Sequence, residues 1–257
     1  MKILISPQAS HLGILFSILA FLPTAHATLI VSSAEDPNSY TSTLSGVSVL
    51  DFNSLSTGRY TNYSWNTVGT IDSLYVINGD VFGGAGDTAS KYSVQSVNSS
   101  LGGVSSTTIT LNQPMAYFGL WWSAGDAGNR LIFKSGNTIV AQFTAADILN
   151  ILPNTYDGNP RNRSQNSGET YAFLNFYGDA ETTWDTITLT NTASSGFESD
   201  NWTVRAAAWG TQPQETGGTP GNELLNIEGL AVTVVPEPSI PLLSLMAAIP
   251  WIFRRRR

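Results

Sequence analysis

The chain has 257 residues, with 19 acidic against 12 basic side chains, a net charge of −7, no cysteine and two histidines. Both histidines, His11 and His26, precede residue 28. From there on no Ser-His-Asp triad, Cys-His pair, His- or Cys-ligated zinc or His-ligated haem can be assembled, and the acid excess leaves no basic footprint for nucleic acid or anionic lipid.

In chain order, Lys2 precedes an uncharged apolar run, Leu12 to Leu22, then Pro23 and Ala25-His26-Ala27. This is the order of a secretory signal peptide with an A-x-A cleavage site, and the run is short for a membrane span. Cleavage is expected after Ala27, giving a signal segment 1–27 and an exported domain 28–235. The Sec export machinery and signal peptidase are the implied partners.

The domain is rich in Ser, Thr, Asn and Gly, and its apolar residues come in short clusters bounded by turn residues. Val47–Phe52, Thr107–Leu111, Met115–Trp122, Arg130–Phe133, Thr138–Phe143, Tyr171–Tyr177, Asp185–Thr190, Asn201–Ala207 and Leu230–Val235 are predicted strands. Ser135-Gly136-Asn137 reads as a tight hairpin turn, and Gly83-Gly84-Ala85-Gly86 as a turn requiring positive φ rather than a phosphate loop. One short helix is expected after Thr144, with Asp147 in its first turn and Pro153 ending it. Residues 154–168 read as a long exposed loop. The fold class expected is all-β: an antiparallel β-sandwich, jelly-roll-like, with one short helix.

Three kinds of site are open to these residues. Calcium takes oxygen ligands, and the turns supply them: Asp80 with Asp87, Asp126 with Asn129, and Glu198 with Asp200 and Asn201. A structural Ca2+ is therefore the one cofactor admitted, although no EF-hand spacing occurs; the opposing reading is solvated surface turns. Trp121 and Trp122 are neighbours on a predicted strand, so their rings point to opposite faces. Either one faces outward as a sugar platform or both are buried. Carboxylate-pair glycoside chemistry needs no histidine, and Glu169, Glu181 and Asp185 are its candidates, with no motif to single them out.

Beyond the domain, Pro236-Glu237-Pro238 is followed by an uncharged segment, Ser239–Phe253, and by Arg254, Arg255, Arg256 and Arg257. The segment is expected to be a C-terminal transmembrane helix with the arginines held cytoplasmic and the domain outside. At about 1.5 Å per residue it covers roughly 22 Å, less than a hydrocarbon core of about 30 Å, so it is a marginal anchor. The order Val235-Pro236-Glu237-Pro238-Ser239, apolar helix, basic cluster resembles the PEP-CTERM sorting signal, also known as the ice-binding protein C-terminal domain. Proteins with that tail are substrates of exosortase, a membrane enzyme of Gram-negative bacteria that make extracellular polysaccharide. Phe82–Gly86, Tyr117–Trp122 and Gly196–Asn201 resemble blocks in the all-β ectodomains of exosortase-dependent surface proteins, more weakly. The resemblance implies a sorting tail at 236–257, exosortase as a partner, and a non-enzymatic protein of the cell surface or extracellular matrix associated with exopolysaccharide or biofilm. The alternatives are a calcium-stabilised carbohydrate-binding module and, third, a glycan-active enzyme.

Overall fold

A computed structural model describes residues 28–86, 90–148, 152–178, 182–208 and 231–235. Strand accounts for about 52% of the described residues, so the class is all-β, as expected. The signal segment 1–27 and the sorting tail 236–257 lie outside the described residues. Among the described residues no helix is long and apolar enough to cross a membrane.

The strands are β1 (Thr28–Ala34), β2 (Ser48–Leu50), β3 (Gly58–Trp65), β4 (Gly69–Asn78), β5 (Lys91–Gln95), β6 (Ser106–Met115), β7 (Tyr117–Ser123), β8 (Asn129–Ser135), β9 (Thr138–Thr144), β10 (Ala172–Gly178), β11 (Trp184–Asn191), β12 (Phe197–Arg205) and β13 (Ala231–Val235). They form one sheet in the order β13-β1-β10-β7-β12-β5-β4-β6-β11-β8-β9, with β2 on β12 and β3 on β4. The sheet curls into a half-barrel. Its first and last described strands pair with each other, Thr28 opposite Val235.

The curl follows from where the rings go. On β8, Phe133 packs against Phe118 of β7, Phe176 of β10, Phe143 of β9 and Trp184 of β11, with centroids 4.7–6.1 Å apart. β7 and β10 are far from β8 and β9 along the sheet, so these contacts exist only because the sheet closes over its own inner face. Trp122 stacks on Phe197 at 4.4 Å, and Trp202 meets Phe52 edge-on at 5.0 Å. Burying rings of this size supplies the driving force that a disulfide-free domain needs.

The outer face of β10, β7 and β12 is covered too. All three strands are buried along their whole length. Trp121, Ala124, Tyr171 and Phe173 form a second cluster there, with Tyr40 and Ala85 against it, and Tyr117 with Tyr177 a third. The segment after β1 lies over this face. Glu35 Oε1 accepts hydrogen bonds from Thr43 N and Asn175 Nδ2, and the Tyr117 hydroxyl lies 2.6 Å from Asn175 Oδ1 and 2.8 Å from Ser42 Oγ.

Residues 154–168 are not a wholly exposed loop. Tyr156 is 1% exposed, and its hydroxyl donates to Glu35 O at 2.7 Å. Asn159 is buried and donates to Val81 O at 2.9 Å. A polar loop is pinned here by one ring and a few amide side chains, which apolar periodicity does not reveal. The helix is present as α1 (Ala145–Ile148), its start capped by Thr144 Oγ1 accepting from Asp147 N at 3.4 Å and by Asp147 Oδ2 accepting from Thr144 N at 2.7 Å. Its predicted continuation at 149–151 lies outside the described residues. The turn at Gly136 joins β8 to β9 with φ +56, as its glycine required.

Candidate functional site

The outer face of β12 and β5 carries the site. Residues opposite each other in an antiparallel pair point to the same side. Asp200 lies opposite Trp121 and Glu198 opposite Ser123, so both acids share Trp121's outer face. Tyr92 is on β5, two residues from Val94, which lies opposite Glu198, and so points the same way. Beside them the turn after β4 is shaped by Asp80. Its Oδ1 accepts from Phe82 N at 2.8 Å, Gly83 N at 3.0 Å and the Tyr92 hydroxyl at 3.1 Å. Gly84 and Gly86 take φ +98 and +92 there, as the glycine-rich turn predicted. A Cβ on Gly83 would stand 2.4 Å from the Tyr92 ring, so only glycine lets the turn close on it.

These elements enclose a cavity of about 420 Å³ lined by Asp80, Asp126, Glu169 and Glu198, by the rings of Phe82 and Tyr92, and by the backbone at Gly196. Glu198 is 7% exposed. Burial, and then the charges of Asp126, Asp80 and Glu169, push its carboxyl up to about 8, against a pull downward from its own backbone N–H. Glu169 is raised as well, by burial and then by Asp126, and its Oε2 is a buried atom with no hydrogen-bond partner. Burial drives the Tyr92 hydroxyl well above its usual range, helped by Asp80 and Glu198. A Cβ on Gly196 would sit 1.8 Å from Glu198 Oε1, so the backbone presses directly on this carboxylate.

No family model, no curated protein and no solved structure matches this chain.

The fold regroups the candidates that the sequence offered. Asp80, Asp126 and Glu198 came from three separate turn clusters, and the structure brings one member of each to a single cavity. Those of their expected mates that are described are engaged otherwise. Asn129 is buried, with its side-chain amide hydrogen-bonded to that of Asn191 at 2.6 Å. Asp200 accepts from Ala85 N at 2.8 Å and from Asn201 N at 2.7 Å, and Asn201 Nδ2 donates to Tyr40 O at 2.8 Å. Asp200 thus ties the glycine-rich turn to β12, and burial raises its carboxyl to about 7. Asp87 lies outside the described residues. Among the described residues no three acids stand close enough to share one metal ion.

Trp121 and Trp122 do point to opposite faces, but they are 1% and 0% exposed. Neither ring offers the outward face that a sugar platform needs, because the loops bearing Tyr40 and Tyr171 cover the outer one. The glycoside candidates are not gathered either. Glu169 lines the cavity, Asp185 accepts from Gly136 N at the β8–β9 turn, and Glu181 lies outside the described residues. The sequence reading missed Tyr92 and the exposed ring of Phe82 as lining residues. Their one local signal was a glycine-rich turn placed directly after an aspartate.

Proposed function

We propose that this chain is an exported, exosortase-processed protein of the cell surface or extracellular matrix, non-enzymatic and associated with exopolysaccharide. The observation that carries the reading is the run Val235-Pro236-Glu237-Pro238-Ser239, uncharged segment and Arg254–Arg257 at 239–257. The short apolar segment holds the chain in the membrane while Pro-Glu-Pro, an extended and rigid stretch just outside, is presented to the processing enzyme. Two features support it. The domain has no histidine or cysteine after residue 26, so it survives export without redox chemistry. Its β13 pairs in register with β1, so the backbone on which Pro236 follows is tied to the strand that begins at Thr28. In this reading the two halves of the curled sheet are the two layers of a jelly-roll-like sandwich.

The test is the intact mass of the protein recovered from membrane and from medium of native cells. A species ending near residue 236 is expected. Recovery of every molecule with Arg257 still attached would overturn the sorting reading.

The second reading, a calcium-stabilised carbohydrate-binding module, is favoured in its binding part by one observation, the convergence of Asp80, Asp126 and Glu198 on a cavity of about 420 Å³; among the described residues these acids do not form a group that could hold the calcium. In that reading the cavity, not either tryptophan, receives the ligand. Thermal melts with and without CaCl2 test the calcium part, and a rise in Tm that a chelator reverses is its expected outcome.

A further inference from the structure

The acids of the cavity pose an energetic problem that the domain alone does not solve. A carboxylate removed from water is costly unless paired. Glu198 is 7% exposed, the hydrogen bond it receives is from its own backbone N–H, and the charges acting on it are all negative. Glu169, half-buried, also lines the cavity, and its Oε2 is a buried atom with no hydrogen-bond partner. Removing either charge would relieve the fold, so the grouping is explained by something that enters.

The entrant is narrowed by size and spacing. Calcium needs six to eight oxygens at about 2.3–2.6 Å, whereas among the described residues no three acids are close enough to share an ion. A cavity of about 420 Å³ instead falls in the range that holds small organic molecules, about 300–1,000 Å³. Four carboxylates line that volume, which suits a charge carried on a body with several donors. One ring completes the case. Phe82 is 46% exposed at the cavity, whereas Tyr92 is 1% exposed, held under the glycine-rich turn with its hydroxyl on Asp80. Aromatic faces attract ammonium groups and pack on the carbon skeletons that bear them.

We propose that this cavity binds a small organic cation, an ammonium group on a sugar-sized or alkyl body, held by Asp80, Asp126, Glu169 and Glu198 and packed on Phe82. The proposal rests on the second reading, the domain as a non-enzymatic binding module, and not on how the chain is sorted. In the empty domain a proton stands in for the ligand on Glu198. Entry of a cation favours ionisation, so binding near pH 7 releases a proton. With a permanently charged probe, affinity rises as pH passes through about 8. The groups facing Glu198 across the cavity are Asp126, Asp80, Glu169 and Tyr92, and none supplies a positive charge. Arg161 donates to the backbone carbonyl of Asp80 rather than to a cavity carboxylate.

The test is calorimetric titration of the full chain in detergent with glucosamine, 1,5-diaminopentane and choline, against glucose, N-acetylglucosamine and CaCl2. At least one ammonium compound should bind with Kd below about 1 mM, at least tenfold tighter than its neutral counterpart. Glu198→Gln should weaken it at least tenfold while the melt shows an intact fold, and Asp126→Asn should weaken it less. Glucosamine and diaminopentane separate a sugar from an alkyl source of the ammonium. Equal binding of glucose or N-acetylglucosamine would overturn the cation while leaving the module reading intact. Calcium binding lost in Glu198→Gln, or no binding by any probe, would also overturn it. Turnover of a bound probe would defeat the non-enzymatic reading and leave the cation site standing.

Discussion

Trp121 and Trp122 are adjacent in the chain and equally hidden, yet they are buried by different means. Trp122 lies on the inner face, stacked on Phe197 within a core that the sheet makes by closing over itself. Trp121 lies on the outer face, under Tyr40 and Tyr171, in a small cluster that loops hold down. The inner face is sealed by strand-borne rings around one buried polar patch, Ser93, Gln95, Thr107 and Ser199, whose side chains are hydrogen-bonded. The outer face is sealed by polar segments, and it is there that buried carboxylates, a cavity and a glycine-rich turn are found. Strands that close on each other interlock their rings; loops laid over a sheet fit it less tightly.

Truncating the two indoles is the most direct way to break that comparison. Trp122→Ala should cost about 3–5 kcal/mol, because rigid strands cannot collapse into the void. At about 2–4 °C per kcal/mol for a domain of this size, Tm should fall by roughly 10 °C or more. Trp121→Ala should cost about 2 kcal/mol, since loops settle more readily than strands. Equal losses in a thermal melt would mean that both faces are packed alike.

Charge sharpens it further. A carboxyl whose folded value stands at about 8, against 4.5 free, favours the folded state while it stays protonated. That contribution is complete below about pH 4.5 and is lost as pH rises to about 8. The domain should therefore melt lower at pH 8.5 than at pH 5. Glu198→Gln should raise stability by about 2 kcal/mol at pH 8.5 and by nothing at pH 4. A pH-independent effect would show that Glu198 is solvated. The same variant is the one that should lose the cation, so stability and binding are expected to move in opposite directions. The smallest effect concerns the loop anchor. Tyr156→Phe removes one buried hydrogen bond, to Glu35 O, and should cost about 1 kcal/mol while quickening proteolysis within 157–170. Unchanged cleavage would mean that the loop is held elsewhere.

Much of the fold was legible. The strands at 117–123, 129–135, 138–144 and 172–178 announce themselves as runs of aromatic and β-branched residues, and the turn at Gly136 by its glycine. β1, β3 and β4 were not foreseen; Gly58–Trp65 is mostly polar and its outward residues are exposed. β5 escaped as well: its apolar face is only Tyr92 and Val94, and on its other face Ser93 and Gln95 are buried in hydrogen bonds to each other and to Thr107. Of the candidate site, all four lining acids were named, Asp80, Asp126 and Glu198 as calcium ligands and Glu169 as a glycoside candidate, but not as one group. Asp80, Asp126, Glu169 and Glu198 sit on four distant stretches, and only local neighbours can be grouped from spacing.

The one-dimensional chain thus determined the class of chemistry and the class of fold. Which side chains exist after residue 28 rules out histidine and cysteine chemistry, and the rhythm of short apolar clusters rules in antiparallel strands, since both are properties of residue type and near-neighbour order. The tertiary structure decided which acids meet, which face of the sheet is dry and which tryptophan lies under a loop. Those outcomes depend on how far the sheet curls and which segments cross its back, a balance of long-range burial against desolvation that no local pattern encodes.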